Sequence, residues 1–449
     1  MPHTSKTKAC RGARDRTREN TILPQDVMSH LGRRFAQLSK SRARDPRIGR
    51  RRPQATTPST VLSRVAGNRR AQTAPFDALK PPPFRWFAHG DSRGELIKGR
   101  ARWLDPMPSD VPCVDQTLQL DVLCVAQRRR FTSTDVRNHF SMHSKTWNPQ
   151  TLTRCGWPLV RQNTLVVHAA CNDSSDDDAP VPEILALFLT DAQCPEIAEA
   201  LSFADTTVEH MFAYGAIVND GRHAHAASAR RGHYAAGQMV MEGAYCGTYK
   251  TGMHYYARCH EANDDAVFLR AQALHYSGLQ AMEARHVPGY YQNRIAFADR
   301  VNFPGMIPRV PIKHLAAISA SCTRGYACDA HTDSAVRGAA ESIFWHRPAD
   351  FELPRGHQWC FAVCDACALF DLSVGECVCY LPGCGVLHGT LPTAATHHEH
   401  TGNGFALVTK ARSVGSTAAR SYGADVRTTL RRPRERMDAQ KKEESHKTA

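Results

Sequence analysis

The chain has 449 residues, of which 42% are apolar, 22% charged and 8% aromatic, the make-up of a globular protein with material for one large domain or two ordinary ones. No stretch approaches eighteen uncharged apolar residues and the start has no apolar signal core, which argues against a membrane span and against secretion. The formal net charge of +14 is unevenly placed: residues 1–80 hold 19 Lys and Arg against 5 Asp and Glu, residues 412–449 hold 10 against 5, and the stretch between is mildly acidic.

Residues 1–80 are rich in Arg, Ser, Thr and Pro and carry no sustained apolar period. They read as a disordered basic arm, densest at Arg50-Arg51-Arg52, with Pro81-Pro82-Pro83 stiffening its exit. Clustered Lys and Arg attract polyanions or act as import signals, so DNA is the expected partner and the nucleus the expected location; a solvated tail with no partner is the alternative. Ordered structure is expected from Phe84-Arg85-Trp86-Phe87 onward, with strands over 118–125 and 165–167 and an acidic surface loop over 171–178. A helix is expected over 264–286, where Val267, Ala271, Leu274 and Met282 share a stripe, Asp264 and Asp265 suit the positive end and Pro288 follows the stop. The following Pro288-Gly289-Tyr290-Tyr291-Gln292-Asn293-Arg294 reads as a polar and aromatic turn.

From about residue 314 the texture changes. Short aromatic, β-branched and Cys-rich runs alternate with Gly and Pro turns, at 315–320, 341–347, 358–363, 368–372, 376–381, 386–391 and 405–410. Closely spaced short strands of this kind argue for a β-sandwich or barrel. The expected organisation is a disordered basic arm (1–80), one domain over 81–412 with its β core at 314–412 on helical and mixed support at 81–313, and a disordered basic tail (413–449).

The 16 cysteines are scattered and read as reduced thiols. Cys364 and Cys367 have metal-like spacing and could be joined by Cys377, Cys379 or Cys384 in a zinc site, but small apolar residues in buried strands are the better reading. The histidines at 223, 225, 397, 398 and 400 lie in polar, loop-like context, and none is assigned a role.

His331-Thr332-Asp333 is different. In an extended strand residues i and i+2 point to one face, so both side chains enter the same cavity. A third ligand has to come from a strand distant in sequence, and Leu381-Pro-Gly-Cys-Gly-Val-Leu-His388-Gly389-Thr390 supplies a histidine after a Gly-rich turn, with Gly389 letting backbone crowd the site. Two histidines and one carboxylate on one face of an iron leave three positions open, the facial triad of non-haem Fe(II) oxygenases. A second such spacing, His89-Gly90-Asp91, precedes no run of short strands and is background.

Residues 314–412 resemble the TET/JBP group of Fe(II)- and 2-oxoglutarate-dependent dioxygenases. The likeness rests on Ala330-His331-Thr332-Asp333, Phe344-Trp345-His346-Arg347, the strand pair around Gly375, and Leu387-His388-Gly389-Thr390-Leu391-Pro392. It implies an α+β fold, a double-stranded β-helix (jelly-roll) barrel with flanking helices, acting on the methyl group of 5-methylcytosine or thymine in DNA. The family's usual Arg after the distal His is missing from the stretch 401–406, which leaves Arg347, Lys410 and Arg412 as candidates for the far carboxylate of 2-oxoglutarate; ascorbate, used by a green-algal relative in the group, is the alternative co-substrate. An extruded base needs stacking and edge contacts, for which Tyr290, Tyr291 and Asn293, with Gln292, are candidates beside their reading as core tyrosines in an ordinary turn. Two other functions fit the same residues: a hydroxylase of the same fold acting on proteins or small molecules, and a non-catalytic nucleic-acid-binding module.

Overall fold

The structure, a computed structural model, describes residues 77–105, 107, 110–169, 180–214, 216–219, 235–246, 253–255, 266–300, 319–333, 341–348, 351–353, 355–382, 385–392 and 402–408. The basic arm up to residue 76, the acidic loop at 171–178, the histidines at 223, 225, 397, 398 and 400, and the basic tail lie outside them.

The strands are β1 (Phe84–Phe87), β2 (Arg102–Trp103), β3 (Asp121–Val125), β4 (Leu159–Val160), β5 (Thr164–His168), β6 (Glu183–Thr190), β7 (Ala216–Asn219), β8 (Ala235–Cys246), β9 (Met253–Tyr255), β10 (Ser319–Cys328), β11 (Glu341–His346), β12 (Cys360–Val363), β13 (Ala368–Asp371), β14 (Cys377–Leu381), β15 (His388–Thr390) and β16 (Asn403–Val408). The helices are α1 (Ser92–Arg100), α2 (Ser133–His139), α3 (Pro149–Arg154), α4 (Glu196–Leu201), α5 (Ala204–Tyr214), α6 (Ala266–His286) and α7 (Pro288–Arg300). Twelve strands form one sheet in the order β1-β3-β5-β6-β14-β11-β16-β10-β8-β7, with β2 on β6 and β9 on β8; four form a second in the order β15-β12-β13-β4. The fold is mixed α+β, with large sheets and a few helices.

The inner faces of the two sheets meet through Trp345, Phe361, Phe370, Cys377, Cys379 and Phe188, with the Phe188 and Phe370 rings stacked at 4.8 Å. Strand alternation puts Phe344, Val378, Tyr380, Phe405 and Leu407 on the opposite face of the large sheet, where they pack with Tyr276 and Leu279 of α6 and Tyr290 of α7. The outer face of the small sheet packs Cys360, Ala362 and Leu369 against Phe140, Trp147, Leu152 and Trp157 from the α2–α3 segment. Polar side chains set where these helices start. Asp91 accepts from the amides of Arg93 and Gly94 at the head of α1, Thr132 and Asp135 cap α2 reciprocally, and Asn148 caps α3 with Pro149 in its first turn. The His89-Gly90-Asp91 spacing is therefore helix-cap chemistry, with His89 facing Glu95 at 3.5 Å.

Several expectations change. The turn expected over 288–294 is the first half of α7, because Pro is well tolerated at the first helical position and only Val287 separates the two helices. The segment 81–313 is not merely support: β1, β3, β5, β6, β7 and β8 extend the same sheet as the downstream strands. The strand β6, Glu-Ile-Leu-Ala-Leu-Phe-Leu-Thr, has no matching pattern in the sequence; it is covered on both faces, so it lacks the polar alternation that marks a half-buried strand. Packed structure also starts before the proline run, since Leu79 is buried and its carbonyl accepts from Trp157 Nε1 at 2.8 Å. Among the described residues no helix is long and apolar enough to cross a membrane.

At the far end of β11, His346 meets Asp205 at 2.9 Å and Glu376 at 3.1 Å. Burial opposes the charged imidazole, but the two carboxylates outweigh it and raise its pKa from 6.5 to about 9. This contribution to stability is fully present below pH 6.5 and is lost as pH rises through about 9. Wild type should lose on the order of 2 kcal/mol across that window, after allowance for solvent screening. In chemical denaturation at a series of pH values His346→Gln should flatten this slope; an equal slope in both proteins would show that the ion pairs contribute nothing.

Candidate metal centre

The chain leaves β10 at Cys328 and is held tightly for the next three residues. Trp147 Nε1 donates to the Cys328 carbonyl at 2.8 Å, the Met142 amide donates to the Asp329 carboxylate at 2.6 Å, and the Ala330 amide donates to the Phe140 carbonyl at 2.9 Å. His331 then pairs with His388 at the start of β15: each amide donates to the other's carbonyl, at 2.8 and 2.9 Å. Directly opposed residues of an antiparallel pair present their side chains on one face, and the two rings lie 4.7 Å apart. Gly389 permits this approach, because a Cβ there would meet Trp147, Ala330 and Asp329 at 3.1–3.2 Å.

Both imidazoles are oriented by their own backbone. Nδ1 of His331 bonds the Asp329 carbonyl at 3.0 Å, and Nδ1 of His388 bonds the Val386 carbonyl at 3.0 Å. With Nδ1 the donor in both bonds, each Nε2 is the atom available to an ion, the arrangement seen in metal-ligating histidines. Asp333 Oδ2 lies 3.7 Å from His331 Nε2 and 3.6 Å from His388 Nε2. Ligand atoms about 2.1 Å from a shared divalent ion are separated by roughly 3.0–3.4 Å, so small side-chain adjustments close the set. His331, Asp333 and His388 form one of two groups among the described residues that could hold a metal ion. His388 is buried, whereas the side chains of His331 and Asp333 are 28% and 36% exposed, so the site opens to solvent on their side.

A second carboxylate reaches the same point. Glu341, at the start of β11, places Oε2 at 3.8 Å from His388 Nε2 and lies beside Asp333. Burial raises the Glu341 carboxyl well above its ordinary range, and the charge on Asp333 raises it further. Burial would also raise Asp333, but His388, Glu341 and His331 close around it outweigh burial and hold Asp333 well below the usual carboxylate range. Burial lowers His331, yet Cys328 and Asp333 raise it overall. Cys328 Sγ lies 3.8 Å from His331 Nδ1, and the half-buried Tyr326 lies next to Cys328. Sequence reasoning missed Glu341, Cys328 and Tyr326. For Glu341 there was a usable signal: a carboxylate at the inward register of Ile343 and Trp345 is rare without a partner.

The other sequence candidates are not brought to this point. Arg347 follows the last residue of β11, and Glu341 is its first, which places them about 17 Å or more apart at 3.4 Å per residue. Arg347 Nη1 donates to the Ser373 carbonyl at 3.1 Å and its guanidinium lies over Phe351, so it does not reach a co-substrate at the triad. Lys410 and Arg412 lie outside the described residues. Tyr290 is a core residue with its ring 4.5 Å from Trp103, which removes it as a base-stacking residue. Tyr291 and Asn293 are half-buried on the same helix, and Asn293 reaches Met107. Cys364 and Cys367 belong to the core outside the small sheet, while Cys377 and Cys379 belong to the core between the sheets, so these four do not converge on one ion.

The arrangement defines a candidate mononuclear metal centre of two histidines and one carboxylate, with a second carboxylate beside it. No protein-family model matches the chain, and no curated protein matches it significantly. If Glu341 acts on the bound ion, Glu341→Gln should weaken divalent-metal binding about 10- to 100-fold, the usual effect of losing a partner just outside the ligands. Competition against a chromogenic chelator reads this directly, and equal affinities would remove Glu341 from the centre.

Proposed function

We propose that the chain is an Fe(II)-dependent dioxygenase on a double-stranded β-helix core, of the TET/JBP kind, oxidising the methyl group of 5-methylcytosine or thymine in DNA. The observation that carries this reading is the His331–His388 bridge, which turns two Nε2 atoms and the Asp333 carboxylate toward one point. The strand order supports the fold part. β10, the His331 bridge and β11 to β16 are eight segments in chain order, and they divide into β14-β11-β16-β10 on one side and His331-β15-β12-β13 on the other. A jelly roll divides its strands between two sheets in such a pattern.

His331, Asp333 and His388 would hold the ion, and their nitrogen and oxygen donors fit ferrous iron with positions left open. A bound ferrous ion would supply the oxygen activation needed for C–H hydroxylation. The protein's share is orientation and exclusion of water. The ring of Phe361, 5.6 Å from that of His388, closes the inner side, so substrate would enter past His331 and Asp333. A base in duplex DNA would have to be extruded to get there, at a cost of a few kcal/mol. The basic termini would supply phosphate contacts and the nuclear address.

2-Oxoglutarate is the first co-substrate of this reading. Ascorbate is favoured by one observation: Arg347, the nearest candidate partner for the far carboxylate of 2-oxoglutarate, is engaged at the other end of β11. The test incubates methylated DNA with Fe(II) and either co-substrate and reads the bases by mass spectrometry, with His331→Ala beside wild type. Oxygen-dependent oxidation in one arm, absent in the variant, supports the proposal. Turnover of a peptide or small molecule instead would select a hydroxylase of another class. DNA binding indifferent to iron and to His331→Ala, without turnover, would select a non-catalytic module.

A further inference from the structure

On the opposite face of the large sheet, behind β14, a second group of ligand-type side chains converges: Cys194, Glu196 and His286, whose donor atoms all lie within 4.8 Å of one another. They come from separate places in the chain. Cys194 lies in the turn between β6 and α4, Glu196 is the first residue of α4, and His286 is the last residue of α6. We propose that this group is a structural site for a zinc-type divalent ion, independent of the His331 centre and of the function assigned to it.

Two of the three donors, Cys194 and His286, are each pre-oriented by a neighbour that is not itself a ligand. The Asn163 side chain takes the Thr190 amide on its oxygen at 2.8 Å and points its nitrogen at Cys194 Sγ, 3.2 Å away. That amide both fixes the turn and donates a hydrogen bond suited to a thiolate. His286 bonds Tyr380 Oη through Nδ1 at 3.0 Å and turns Nε2 to Glu196 Oε1 at 3.3 Å. A ring nitrogen anchored by an outer partner, with the other aimed at the remaining donors, is how ligating histidines are held. A thiolate, an imidazole and a carboxylate make a donor set that suits zinc, leaving one position for water or a fourth side chain. Asp115 acts electrostatically on both Cys194 and His286, and its amide donates to the His286 carbonyl at 2.9 Å.

Closure from solvent argues for a structural rather than a catalytic ion. Cys194 and His286 are 3% and 0% exposed, and Glu196 is the only one of the three with appreciable exposure. Arg285, 3.2 Å from the same Glu196 oxygen, balances the carboxylate when no ion is bound. An ion held by the three would tie the end of α6 to the start of α4, two of the helices that pack on this face of the sheet.

The experiment uses the full chain in the His331→Ala background, so that metal at the triad does not contribute. Purified without chelators and dialysed against zinc, this protein should retain about one equivalent. Adding Cys194→Ser or Glu196→Gln should lower retention at least tenfold. Cobalt substitution should give a thiolate-to-cobalt charge-transfer absorption that Cys194→Ser removes and His331→Ala alone does not. Circular dichroism confirms that each variant is folded, and Glu196→Gln provides the reading should Cys194→Ser not fold. Equal zinc in the background protein and in both added variants, or cobalt binding without a charge-transfer band, overturns the proposal. So does zinc-free protein after dialysis.

Discussion

Asp333→Ala should weaken Fe(II) binding by more than about 100-fold, beyond the 10- to 100-fold that loss of an outer partner costs. Among the described residues Asp333 is the one carboxylate within 3.6–3.7 Å of both Nε2 atoms, and without it the ion would face two neutral imidazoles. Its partial exposure means that the side chain can be removed without opening the core, so the folded state should survive. Anaerobic Fe(II) titration, followed by competition with a chelator, measures the effect. His388→Ala should be as damaging to the ion, but it also leaves a cavity beside Phe361, which makes Asp333 the cleaner probe. Affinity within a few-fold of wild type for Asp333→Ala would mean that the ion sits elsewhere, and the oxygenase reading would fall with it.

The second large effect is on stability. Arg294 and Glu283 are both fully buried and joined by a forked pair of bonds, Nε to the two carboxylate oxygens at 3.0 and 2.9 Å and Nη2 to Oε1 at 2.9 Å. Arg294 also reaches the Leu407 carbonyl at 3.4 Å, so the pair docks α6 and α7 onto β16. Arg294→Leu would strand a buried carboxylate, and the expected loss is about 3–5 kcal/mol. Replacing both partners together, Glu283→Leu with Arg294→Leu, should recover most of it, because no unpaired charge remains. Denaturant unfolding of the single and double variants gives the comparison. A double variant as unstable as Arg294→Leu would show that the pair's geometry, rather than its charge balance, holds the helices.

Most of the downstream strands were legible. The runs at 341–347, 368–372 and 376–381 correspond closely to β11, β13 and β14, because short, β-rich segments punctuated by Gly and Pro leave few other conformations. The helix over 264–286 was legible for the same kind of reason: charge at its head and a proline just past its end. What failed was local punctuation without context. Pro288 looks like a stop and is a start, and the choice depends on whether a surface exists for Tyr290 and Arg294 to bury against. β6 was invisible because covering both faces of a strand erases its period.

At the site, the identities of His331, Asp333 and His388 were readable, since spacing by two and a Gly-flanked histidine are properties of the chain itself. The amino-acid order alone determined which side chains were available to hold a metal and that short strands carry them. Only the tertiary structure decided that residues 331 and 388 face one another across a bridge, that Glu341 comes to the same point while Arg347 is carried to the other end of its strand, and that Cys194, Glu196 and His286 meet. Those are facts of register and of which sheet face packs on which, and they depend on contacts between segments that are remote along the chain.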